Sequence, residues 1–268
     1  NKSEPKIDLQ RTVALEPKSE KVNLGILGAG NFATTTILPT LKELKKYCQV
    51  LGIASSSGLS SESLATNFKI KNKYPTEEEI LNSEEIDAVF ILTQHFSHAE
   101  LVIKAIDAGK AVYVEKPLAI EASSITDIEE AMYNADNPKI FLGFNRRFAA
   151  ATEFIKTKLN NSPANSINFR FSVPPLEEDH WTNVDEIGGG RIVGEAIHAI
   201  DLACYLFDSL PQSISSSSPI DKENNKALDN QVFLNIKFEN GSHAAIQYFS
   251  ETNQALTKER VEIHGNGN

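Results

Sequence analysis

Five short runs, VNLGIL (22–27), QVLGIA (49–54), AVFILT (88–93), AVYVE (111–115) and KIFLGFN (139–145), are apolar at nearly every position. A strand that is apolar on both faces must be covered on both faces, and helices between successive strands supply that cover. The intervening stretches TTTILPTLKELKK, SSESLATNF, AELVIKAIDAG and SSITDIEEAMYNA carry helical spacing. Together they predict an α/β unit, a doubly wound parallel sheet, over residues 21–145. Pro39 removes an N–H donor from the first helix and is expected to kink it.

The pattern changes after residue 145. A helix over Ala149–Leu159 is followed by SINFRFSV (166–173), where polar and apolar positions alternate. A loop with Trp181 and a glycine run lead into a helix near 192–207. Then come QSISSSS, NQVFLNIKFENGSHAAIQYFS and KERVEIH. Period-two strands predict an open, mainly antiparallel sheet with one face uncovered. Asn240-Gly241 reads as its hairpin turn, and Ser215–Ser218 as a short loop. Residues 146–268 are therefore expected to form an α+β domain that binds substrate or mediates oligomerisation. Residues 1–20 are polar, carry two prolines and read as a leader or linker. The chain starts at Asn1 and stops just after the strand-like Arg260–His264, so a piece of a longer polypeptide is expected, with the second domain incomplete at its C-terminus.

Charge narrows the partners. Lys and Arg number 26 against 36 Asp and Glu, a net charge of −10. Such a surface repels phosphate backbones and anionic lipid, so neither nucleic acid nor membrane is expected as a partner. No apolar run approaches the roughly 18 residues of a membrane span. Two cysteines, Cys48 and Cys204, are too few for a disulfide framework, and they read as reduced core thiols of a cytoplasmic protein. His95-x-x-His98 lacks a third ligand at zinc spacing, so no metal is expected.

Gly28-x-Gly30-x-x-Ala33 joins the first strand to the first helix. Glycines there let backbone turn tightly and approach a pyrophosphate, whose charge meets the helix N-terminus. Gly28, Gly30, Asn31, Phe32 and Ala33 are thus the expected dinucleotide loop. The acid that usually follows about 20 residues on, to bind the ribose 2′-hydroxyl, is replaced by Ser55-Ser56-Ser57-Gly58. Nothing there repels a 2′-phosphate, so the cofactor is expected to be NADP or NAD, with Ser55 and Ser56 near the ribose.

The glycine loop GAGNFA, AVYVEKPLA (111–119) and GGGRIVGEAIHAIDLACYL (188–206), in this order and spacing, resemble the Gfo/Idh/MocA family of oxidoreductases, the glucose-fructose oxidoreductase and inositol dehydrogenase relatives. The resemblance implies a Rossmann domain followed by an α+β domain whose open sheet often mediates homo-oligomerisation. It implies NAD(P)-dependent oxidation or reduction of a sugar, nucleotide sugar or cyclitol. Glu115, Lys116 and Pro117 match the family's E-K-P, which sets the lysine beside nicotinamide and substrate, and His198 matches its active-site histidine. Thr93 and His98 fall where relatives approach the cofactor, His98 alternatively serving as a structural cap. Many members carry an Asp four residues before that histidine. Gly194 stands there in this chain, and Glu195 is the neighbouring acid, expected to orient His198 from the same helical face. Lys116, His198 and Glu195 are the candidate catalytic residues; Arg147, Trp181 and Asp201 are candidate sugar contacts. GFNRRF (143–148) with GGGRIVGEAIH looks most like a subgroup fused behind a zinc-type alcohol-dehydrogenase-like domain, which would place a fused domain upstream. Two alternatives remain open: a redox elimination that hydrolyses glycosides with no net redox change, and a non-catalytic dinucleotide-binding sensor or scaffold.

Overall fold

In the computed structural model, residues 21–159, 164–177, 180–221, 226–227, 231–253 and 255–265 are described. The leader at 1–20 therefore lies outside the described residues. The first sheet contains β1 (Val22–Leu27), β2 (Cys48–Ala54), β3 (Ala88–Ile91), β4 (Ala111–Val114) and β5 (Ile140–Leu142) in the order β2-β1-β3-β4-β5. Every pairing is parallel. Helices α1 (Leu38–Glu43), α2 (Gly58–Phe68), α3 (Glu77–Asn82), α4 (His98–Asp107) and α5 (Ala122–Asn134) connect the strands. Their apolar positions bury Ile26, Ile53 and Leu64 on one side of the sheet and Ile80, Val89, Val102 and Ile128 on the other.

Pro39 does not kink a continuous α-helix. Residues Ala33–Ile37 form a π-helical turn that runs without a break into α1, and Pro39 is the second residue of α1.

The second unit contains α6 (Ala150–Leu159), β6 (Ala164–Ser172), the short α7 (Asp185–Gly188), a π-helical turn Ile192–Ala196, and α8 (Ile197–Phe207). Strands β7 (Pro211–Ser217), β8 (Ile220–Asp221), β9 (Lys226–Ala227), β10 (Gln231–Phe238), β11 (His243–Phe249) and β12 (Glu259–Gly265) follow. Five of them form a sheet in the order β12-β6-β11-β10-β7, and β8 pairs only with β9. Its pairings are antiparallel except β6 with β11, so the sheet is mixed. Phe169, Phe171, Leu234, Ile236, Ile246 and Tyr248 cover one face and pack on Leu202, Ala203 and Leu206 of α8.

The serine run is corrected: Ser215–Ser217 belong to the edge strand β7, where pairing with β10 overrides a composition that reads as loop. The Asn240-Gly241 hairpin is present as a three-residue loop. The Gly241 N–H donates to Phe238 O, the Phe238 N–H to Ser242 O, and Gly241 has φ +86°. Both cysteines are free and half-buried rather than in the core. No helix among the described residues is long and apolar enough to cross a membrane.

Candidate active site

The segments that follow the carboxyl ends of β3 and β4 meet the second unit, through His95 and Lys116, at the edge where open α/β sheets take ligands. Gly28 has φ +109°, and a Cβ there would sit 2.6 Å from the Leu92 carbonyl. Gly30 differs: a Cβ there would meet nothing within 4 Å. The Thr34 N–H closes the first helical bond onto Gly30 O, so the N–H groups of Asn31, Phe32 and Ala33 precede the first helical bond. Bare backbone, empty room and a helix N-terminus fit a dinucleotide pyrophosphate. Ala33 is fully buried, Phe32 packs against the core beneath, and Asn31 is exposed. Past β2, the Ser55 hydroxyl donates to Ser57 O, and Ser56 is exposed.

Lys116 follows β4 through a cis Lys116-Pro117 peptide. Its Nζ donates to the carbonyl of Gly194 at 2.6 Å, joining the first unit to the turn that leads into α8. Burial lowers the Lys116 pKa, opposed by the carboxylates of Glu115 and Glu195. Glu115 itself accepts from Tyr113 Oη at 2.6 Å and packs against Gly143, where a Cβ would lie 2.7 Å from its Oε1. Its buried carboxyl has a raised pKa. It faces the sheet rather than the glycine loop.

His98 is fully buried. Nδ1 lies 2.7 Å from Pro117 O and Nε2 3.1 Å from Thr93 O. A neutral ring has one N–H, which the shorter contact takes. These contacts suit the structural alternative for His98, which ties the end of β3 to the Lys116-Pro117 turn. Thr93, half-buried, accepts from the Ser97 hydroxyl at 2.7 Å.

His198, the second residue of α8, lies within the field of Lys116. Its Nδ1 is sealed from solvent with no partner, and no contact occupies Nε2. A proton on Nδ1 would be an orphaned donor, so the ring carries its proton on Nε2. Burial, then the positive charges of Lys116, Arg146 and Lys258, push its pKa down to about 3. His198 is therefore neutral at physiological pH.

The expected bond from Glu195 to His198 is not formed. Glu195 Oε1 instead accepts from Arg191, at 3.1 Å from Nη2. The physical reason is local. Ile192–Ala196 is π-helical, so a three-residue separation across it no longer returns to one face. Arg147 and Asp201 also find each other: Nε lies 2.8 Å from Oδ2, and Nη2 completes a bidentate pair. The pair ties together the two units at their junction. Arg146 makes a second bidentate bridge, to Glu259. Trp181 packs edge-on against His95, with ring centroids 4.8 Å apart, and its neighbour His180 stacks beside it.

His95 is the residue that sequence reasoning missed. Nδ1 lies 2.7 Å from Gly188 O, and the residue is buried within the junction. A Cβ on Gly194 would lie 3.2 Å from its Cε1, so glycine at 194 makes room for the imidazole.

Residues 22–143 match the family described as "Oxidoreductase family, NAD-binding Rossmann fold", and residues 164–267 match the Gfo/Idh/MocA C-terminal domain. The chain is similar to 1,5-anhydro-D-fructose reductase of Ensifer adhaerens, 25% identical over 90% of this chain and 72% of the relative. In fold it is similar to myo-inositol dehydrogenase from Lactobacillus casei, solved with NAD(H) and myo-inositol: TM-score 0.78, 22% identity, 91% of this chain and 72% of that one. It is likewise similar to a levoglucosan dehydrogenase solved with NADH and levoglucosan: TM-score 0.80, 22% identity, 91% of this chain and 71% of that one.

Proposed function

The chain belongs to the Gfo/Idh/MocA oxidoreductase family, and from that membership we propose that it moves a hydride between NAD or NADP and a carbinol carbon of a sugar, nucleotide sugar or cyclitol. One observation carries the reading. Lys116, at the carboxyl edge of the dinucleotide sheet, reaches into the second unit beside His198 and is half-buried. A partly desolvated ammonium at the ligand edge of a Rossmann sheet is suited to a reacting oxygen. The names of the relatives support the substrate class, since they act on anhydrofructose, inositol and levoglucosan.

When bound at Gly28–Ala33, the nicotinamide dinucleotide supplies the hydride acceptor or donor. In the reducing direction the Lys116 ammonium gives its Nζ proton to the oxygen on which charge develops, and in the oxidising direction the neutral amine takes the carbinol proton. Its lowered pKa brings proton loss closer to neutrality, which suits it to take the carbinol proton. His198 donates from Nε2 to the same oxygen and holds it in line. Glu115 and Glu195 offset the lysine charge. Trp181 backs His95 and keeps water from that side of the cleft.

The open face of the second sheet, around Ser166, Asn168, Asn235, Lys237 and His243, is slightly concave, with a cavity of about 360 Å³. We place the contact with a second copy of the chain there. The narrower resemblance, to proteins fused behind an alcohol-dehydrogenase-like domain, rests on GFNRRF and GGGRIVGEAIH and belongs to the same proposal.

Lys116→Ala and His198→Ala test the mechanism. Each is expected to lower turnover of a confirmed polyol about 10²–10⁴-fold, the range of a lost acid–base or polarising group. Because both act on one oxygen, the double variant should lose much less than the product of the two. Multiplicative losses, or near-wild-type turnover in either variant, would contradict the shared site.

A further inference from the structure

His95 and His198 come from different units and both flank Lys116, yet their tautomers are opposite. Gly188 O is a carbonyl and only accepts, so the 2.7 Å contact requires the proton of His95 on Nδ1. Its Nε2 is then a bare lone pair. Among the described residues no donor meets that atom, and it is not sealed from solvent as His198 Nδ1 is. The environment keeps this state. Trp181 closes one side of the ring, His98 lies edge-on at 5.7 Å, and the charge of Lys116 opposes protonation. Burial, first, and Lys116 and His98 after it hold the pKa down at about 4, so the lone pair persists at neutral pH. Gly194 leaves the ring its space.

A neutral acceptor, fixed in orientation, set beside an ammonium and a neutral donor, matches the hydroxyl of a polyol, which both donates and accepts. We propose that His95 is a specificity-determining residue whose Nε2 accepts a hydrogen bond from a substrate hydroxyl. It rests on the polyol reading above. Lys116 and His198 Nε2 supply donors to the substrate, and His95 supplies the acceptor they lack. A substrate without the matching hydroxyl leaves that lone pair unpaired in the closed cleft, which is where discrimination arises.

Two substitutions separate this role from a structural latch. In His95→Asn the amide reaches only as far as Nδ1 and keeps a donor for Gly188 O, but the acceptor is gone. In His95→Gln the amide oxygen reaches the Nε2 position and the bond to Gly188 O is lost. Turnover is measured with myo-inositol, D-glucose and their monodeoxy forms, alongside cofactor affinity. His95→Asn should lower kcat/KM by about tenfold or more, the loss of one hydrogen bond to a hydroxyl, at unchanged cofactor affinity. His95→Gln should lie closer to the wild type. One monodeoxy substrate should reproduce that loss in the wild type and suffer no additional loss in His95→Asn. The reverse order, with His95→Asn like the wild type and His95→Gln impaired, would make His95 a latch and overturn the proposal.

Wild-type protein that turns over none of these polyols would contradict the functional reading, and His95 is then judged by ¹⁵N NMR of the imidazoles in the free protein. A bare Nε2 on His95 near pH 7 is expected. A proton on that nitrogen would overturn the proposal regardless of substrate.

Discussion

Gly28 and Gly30, two residues apart, answer to different constraints. Gly28 is required by the chain itself, since its φ of +109° and the Leu92 carbonyl 2.6 Å from a would-be Cβ exclude a side chain. Gly30 is surrounded by open space, so a side chain there obstructs only what binds. Gly30→Val is expected to abolish cofactor binding, followed by fluorescence titration, with an unchanged thermal midpoint. Gly28→Ala should lower the midpoint as well. A Gly30→Val protein that titrates like the wild type would remove the loop from the cofactor site. The glycine loop was legible because its constraint is local. Glu195 was misread because its spacing to His198 presumes 3.6 residues per turn, and the chain crosses a π-helical turn there. His95 was illegible for a different reason: its partners are Gly188 and Gly194, nearly a hundred residues away.

At the scale of elements, the first unit could be read nearly strand by strand, because burial on both faces leaves an unmistakable apolar run. Helix α3 was passed over, although its signal is present in the sequence. Thr76 and Glu79 form a capping box: the Glu79 N–H donates to Thr76 Oγ1 at 3.2 Å and the Thr76 N–H to Glu79 Oε2 at 3.1 Å. The helix spans six residues, too short to show a period, so its cap is the only local evidence. Thr76→Ala should cost about 1 kcal/mol, read by urea denaturation. No measurable loss would mean that packing of Ile80 and Leu81 alone holds the helix. The second sheet was less legible. An edge strand of serines carries no pattern of its own, and the parallel pairing of β6 with β11 is set by chain path rather than by residue type.

The whole molecule is held across its junction by Lys116 to Gly194, His95 to Gly188, Arg147 to Asp201 and Arg146 to Glu259. The cost of burying neutral imidazoles there appears in acid. His95 and His198 have folded pKa values of about 4 and about 3, against 6.5 in the unfolded chain. The unfolded chain therefore binds more protons below 6.5. The stability they contribute is fully present above that pH and is lost as pH falls toward 4 and then 3, at up to about 1.4 kcal/mol per unit for each histidine. Thermal midpoints should fall steeply between pH 6.5 and 4, and more shallowly in His198→Phe. An equal slope in the variant would contradict a neutral, buried His198.

The central claim is hydride transfer at this cleft, and isotope transfer tests it most directly. The protein is incubated with NAD or NADP and polyols carrying deuterium on their carbinol carbons, and the reduced cofactor is examined by mass spectrometry. The account predicts one deuterium on the nicotinamide from at least one polyol, retained in Glu195→Gln, reduced in rate about 10²–10⁴-fold in Lys116→Ala, and absent in Gly30→Val. Deuterium appearing at the same rate in Lys116→Ala, or reaching the nicotinamide from none of the polyols, would contradict it.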